Sequence, residues 1–178
     1  MLAELDVVIF LKTHEDLERT AAMVFGALRT PYETSTMEDA PDVAFYEANG
    51  LGFHAALFAN ADQLLDPEFE SYAYGLEITS HFWCADMNTI EIEGPLSEYF
   101  ARLLAFELDV ETATEVLLEA TEDSEIFEIR AFKRNPQYRL DQSPTTPKVF
   151  IVETRQVEET FDDEEGEEVD EQEYEEEP

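Results

Sequence analysis

Residues 156–178 hold fourteen carboxylates and neither Lys nor Arg. A stretch of that composition cannot bury enough apolar surface to offset the entropy lost on ordering it. The folded part is therefore expected within residues 1–155. That part is acidic as well. Thirty Asp and Glu there face all ten Lys and Arg, so −20 of the formal −34 lies outside the tail. The imbalance limits what the protein can touch. DNA, RNA and anionic membrane surfaces would be repelled. A positively charged macromolecule is the partner it fits.

The chain has enough apolar material for a core, with 44% hydrophobic residues including thirteen Phe and seven Tyr. Its 178 residues fit one acidic globular domain, 1–155, followed by an acidic, disordered tail, 156–178. Cys84 is the single cysteine, which excludes an internal disulfide framework and a cysteine-based zinc site. The segment MLAELDVVIFLKTHED has no basic n-region, and its VVIFL run is too short for a signal peptide. No stretch approaches the ~18 apolar residues of a membrane span. The expectation is a soluble, cytoplasmic protein.

Hydrophobic periodicity predicts a β-strand over Leu5–Leu11, short, β-branched and ended by charge. Thr13 and Asp16 read as a capping-box helix start, with Leu17, Ala21, Val24 and Leu28 at helical spacing before Pro31. Residues 31–42 are rich in turn formers. Val43–Tyr46 is a short strand broken at Asn49-Gly50, and Phe53–Phe58 is another. Asp62–Glu70 reads as a loop or one helical turn. The alternation of Tyr72, Tyr74, Leu76 and Ile78 predicts a long strand over Tyr72–Trp83. Thr89–Glu93 reads as a further strand, with Gly94-Pro95 opening a second helix. Val116–Ala120 and Ile126–Phe132 form a hairpin, and Val149–Val152 a last strand before the tail. Two helices separated by runs of strands predict an α+β fold. Its sheet is mostly antiparallel, with both helices packed on one face, as in a ferredoxin-like variant.

No G-x-S-x-G, P-loop, dinucleotide or EF-hand pattern is present, so no catalytic residue is assigned and no enzyme is expected. His14, His54 and His81 lack metal-ligand spacing, and no cofactor or metal site is expected. Chance carboxylate pairs such as Glu91 with Glu93, or Glu115 with Glu119, carry no specificity in a chain this acidic. The candidate partner-binding residues are the tail acids: Asp162, Asp163, Glu164, Glu165, Glu167, Glu168, Asp170, Glu171, Glu173, Glu175, Glu176 and Glu177. His81 and Trp83 join them as aromatic anchors, should the odd positions of their strand face outward. Six of the ten bases, Arg130, Lys133, Arg134, Arg139, Lys148 and Arg155, cluster in sequence. They suggest a patch onto which the tail folds back until a stronger cation displaces it.

The tail resembles the acidic C-terminus of phage anti-restriction DNA mimics. Bacterial immunity proteins and phage anti-defence inhibitors are similar in setting acidic faces on small α+β domains against basic nucleases. What the charge and this resemblance imply is a non-enzymatic inhibitor. It would bind a basic nucleic-acid-binding protein, such as a nuclease or a restriction or CRISPR-type effector, by polyanion mimicry. Two other readings stand beside it: an ordinary domain adapted to high salt, and a metal-dependent enzyme using paired carboxylates.

Overall fold

A computed structural model describes residues 2–36, 44–50, 52–59, 67–83, 90–121, 124–138 and 147–160. The first strand, β1 (Leu2–Lys12), alternates strictly. Leu5, Val7, Ile9 and Leu11 enter the main core, whereas Asp6, Val8 and Phe10 take the other face. Helix α1 (Leu17–Leu28) follows and buries Ala21, Val24 and Phe25. Its N-cap is Asp16, whose Oδ1 accepts the Arg19 N–H at 2.8 Å. Thr13, expected to cap, instead accepts the Glu15 N–H at 3.2 Å. His14 therefore precedes the helix. Arg29 ends α1 in the left-handed region at φ 55°.

Seven more strands and a second helix complete the order: β2 (Glu33–Thr36), β3 (Ala44–Gly50), β4 (Phe53–Ala59), β5 (Tyr74–Trp83), α2 (Ile90–Leu108), β6 (Glu111–Ala120), β7 (Ser124–Arg134) and β8 (Phe150–Thr160). Several differ from expectation. β2 lies in the stretch read as turns, because ETST is a short polar strand with no apolar phase to betray it. β3 runs through Asn49-Gly50, and the tight turn falls at residue 52, where Gly52 takes φ 89°. Residues 90–93 belong to α2. Ile90 and Ile92 alternate with Glu91 and Glu93 and so imitate a strand. Pro95 lies inside the helix, where its missing N–H forfeits only the bond to the Glu91 carbonyl. β8 is eleven residues long, so 156–160 belong to the sheet.

All pairings are antiparallel, in the order β2-β3-β4-β5-β1-β6-β7-β8. β5 separates β1 from β4, and β1 separates β5 from β6. The two helical crossovers are thus interleaved split β-α-β units, the ferredoxin-like pattern, widened by two strands at each edge. Both helices cover one face. α1 lies over β3 and β4, α2 over β1, β6 and β7, and the two adjoin. Gly94 lets α2 approach closely, since a Cβ there would lie 3.0 Å from Val116 Cγ1. The core between the layers holds Phe25, Leu57, Leu76, Ile78, Leu104 and Phe132, all essentially without solvent contact. Burial of this kind contributes ~25 cal/mol per Å² of apolar surface.

Candidate partner-binding surface

Both helices lie on one side, and no described α-helix covers the other face of the sheet. A 3-10 turn, Pro67–Phe69, supplies part of its cover. Phe69 stacks on Phe10 with ring centroids 3.6 Å apart and 14° between planes, and both rings are buried. Tyr72 meets them edge-on and completes a second, smaller core with Ala113 and Ile129. Tyr72 was expected to share a phase with Tyr74. It precedes β5 and packs beneath the sheet, while Tyr74 enters the main core and donates to the Glu15 carbonyl at 2.7 Å. Burial, and then the Glu111 carboxylate beside it, raise the Tyr72 phenol well above its ordinary range.

The remainder of this face carries carboxylates in register. Glu33 pairs with Glu47, Glu47 with Ala56, Ala56 with Glu77, and Glu77 with Val8. On the far side of β1, Glu115 pairs with Ile129 and shares that face. With strands ~4.8 Å apart, Glu33 and Glu47 are neighbours and Glu77 follows two strands on, at ~10 Å, while Glu115 lies across the gap between β1 and β6. Asp6 lies one pair further along β1, opposite Thr79. Ordered antiparallel pairing thus turns acids scattered over eighty residues of sequence into one row.

Glu47 is the best-held member. Its Oε2 lies 2.9 Å from His54 Nε2. The His54 hydrogen bond first, and that of Ser35 next, hold its carboxyl below the ordinary value, against the opposing effect of partial burial. Among the described residues, three basic side chains on this face reach acids outside the row. Lys12 pairs with Glu111 at 3.3 Å, Lys133 reaches the same carboxylate at 4.0 Å, and Arg155 binds Glu68 at 2.5 Å.

The row is interrupted by a cleft. β1 pairs with β5 over ten residues but with β6 over only four, Ile9–Lys12. Beyond Thr114 the two strands part, and β6 continues along β7 alone. Thr114 marks the point of separation: its hydroxyl donates to the Val8 carbonyl at 3.0 Å. The opening, about 390 Å³, is lined by the acids Asp6, Glu93 and Glu115 and by apolar residues that include Phe10, Leu117 and Phe127. No base lines it. Among the described residues, no group of three metal-ligating side chains converges there or elsewhere.

The structure separates the residues singled out in the sequence. Asp162 to Glu177 lie outside the described residues, so the tail acids are not placed. His81 and Trp83 stand opposite Glu4 and Leu2 in the β1–β5 ladder, at positions that continue the phase of Gly75 and Glu77. The clustered bases do not make one patch. Arg130 is on the helical side, held by Glu128 at 2.5 Å and Glu98 at 2.7 Å, while Lys133 and Arg155 are on the opposite face. Arg134 lies over the Phe106 ring at 4.5 Å, and Arg139 falls outside the described residues. Neither the strand pair Glu91–Glu93 nor the helical pair Glu115–Glu119 weighed in the sequence has the backbone it needs. Positions 91 and 93 are helical, and a bulge between Leu117 and Glu119 turns β6 over.

Sequence reasoning missed the row that joins Glu33, Glu47, Glu77 and Glu115, with Asp6 beside it, and the His54 contact. Only the polar phase of β5 gave a signal, since Glu77 falls between Leu76 and Ile78. The rest required strand register. No family model, no curated protein and no solved structure matches the chain. Among the described residues no helix is long and apolar enough to cross a membrane.

Proposed function

We propose that this is a non-enzymatic, acidic interaction protein. It binds a basic nucleic-acid-binding protein, such as a nuclease or a restriction or CRISPR-type effector, and occludes it by offering carboxylates where phosphates would sit. The observation that carries the reading is the row Glu33, Glu47, Glu77 and Glu115 on the face the helices leave uncovered. A net charge of −34 adds long-range attraction and speeds encounter with a cationic surface. The tail would extend the same field.

Capture from lysate of the native host tests this. The full chain should retain a basic protein at ~50 mM salt, lose it steeply by ~200 mM, and release it to added duplex DNA. The variant Glu33→Gln/Glu47→Gln/Glu77→Gln/Glu115→Gln should retain much less. Capture that ignores salt, duplex DNA and the four substitutions would refute the reading.

A further inference from the structure

Among the described residues the sheet has one long unpaired edge. β2 closes one side with four residues, but β8 closes the other with eleven, Phe150–Thr160, and contains neither proline nor bulge. Its outward row of backbone N–H and C=O groups is a template for another strand. Residues 150–160 are largely solvent-exposed beyond Phe150, and Ile151 and Val152 are each 44% exposed. Among the described residues nothing pairs with that edge.

We propose that β8 pairs antiparallel with β8 of a second copy of this chain, about a two-fold axis through Thr154. A two-fold axis perpendicular to the sheet keeps each residue on its own face, so residue i must meet a residue of the same parity. Centring on Thr154 sets Glu153 opposite the partner's Arg155, twice. The same register sets Ile151 opposite the partner's Val157, twice, and Thr154 opposite itself. Opposite charges, apolar pairs and Thr–Thr pairs are the cross-strand combinations that stabilise sheets. Neighbouring registers are worse. Centring on residue 153 opposes Glu153 to itself, and centring on 155 opposes Arg155 to itself. Centring on 156 sets Glu153 against Glu159.

Arg155 can serve both contacts. It holds Glu68 of its own chain through Nη2, and a guanidinium has five donors. The like charge of the two copies opposes association but is tolerable. The two Thr160 residues would lie ~40 Å apart at ~3.3 Å per residue, several Debye lengths at physiological salt. In this arrangement both helical layers fall on one side of a continuous sheet, and both acidic faces on the other.

Sedimentation of the full chain over a concentration series at ~150 mM salt reads the association. The wild type should dimerise. Glu153→Arg and Arg155→Glu should each weaken the dimer about tenfold or more, since each puts two like-charge pairs across the axis. Glu153→Arg leaves the Arg155–Glu68 contact untouched and so separates pairing from folding. An equimolar mixture of the two variants restores both cross-strand pairs and should form a heterodimer. A wild type that stays monomeric throughout overturns the proposal. So does a dimer indifferent to Glu153→Arg, or a pair of variants that fail to associate when mixed.

Discussion

The Thr114 hydroxyl donates to the Val8 carbonyl at the place where β1 and β6 separate. A side chain thus takes the bond that the next ladder N–H would have made, and the ladder ends without stranding that acceptor. Thr114 is fully buried. Thr114→Val keeps the shape and removes the donor. The expected loss is about 1–2 kcal/mol, read as a lower urea midpoint with an unchanged slope. An unchanged midpoint would mean that the hydroxyl does not hold the cleft's apex.

Asp16 and Thr13 offer a direct comparison of two caps. Asp16→Ala removes the acceptor for the Arg19 N–H and should cost about 1 kcal/mol. Thr13→Ala removes only an exposed contact to Glu15 and should stay within ~0.5 kcal/mol. Thermal or urea unfolding of the two variants ranks them. The reverse ranking would restore Thr13 as the cap.

Phe69 is the principal anchor of the turn that covers the second core. Phe69→Ala deletes a fully buried ring stacked on Phe10, with an expected cost of about 3–5 kcal/mol. Faster amide exchange should appear in residues 67–72 before it appears in β1. A uniform loss of protection instead would mean that this turn does not open on its own.

The Glu47 carboxyl titrates below its ordinary 4.5, with the His54 hydrogen bond as the largest cause. Its folded value is depressed. The stabilisation is therefore present above the unfolded carboxylate range and is lost as pH falls through the folded value. His54→Ala should move the Glu47 titration, followed by carboxyl ¹³C shifts, up toward 4.5. The stability gap between wild type and Glu47→Gln should shrink below that pH. An unmoved titration in His54→Ala would assign the shift to Ser35.

Much of the architecture is legible from periodicity. The 5, 7, 9, 11 phase of β1 and the Leu17–Leu28 stripe of α1 each announce a buried face, and the 127, 129, 131 phase of β7 falls on one side as expected. Errors came where local pattern and tertiary context disagree. Ile90 and Ile92 look like a strand, yet they start a helix that tolerates Pro95. β8 looks like the beginning of a tail because an edge strand with little buried surface can be polar nearly throughout. The acidic row was illegible for a different reason. Glu33, Glu47, Glu77 and Glu115 become neighbours only through the pairing of β2, β3, β5 and β6 around β1, and no local window contains that information.

On the proposed mechanism the acidic sheet face, and not net charge alone, engages a basic partner. Titration calorimetry of the captured partner against wild type and the four-Gln variant, from ~50 to ~200 mM salt, tests it most directly. The variant keeps most of the −34, so charge alone would leave its affinity and salt slope close to those of the wild type. The expected result is a steep decline for the wild type, with a weaker and flatter response for the variant. Equal affinity and equal slope for the two proteins would contradict the claim.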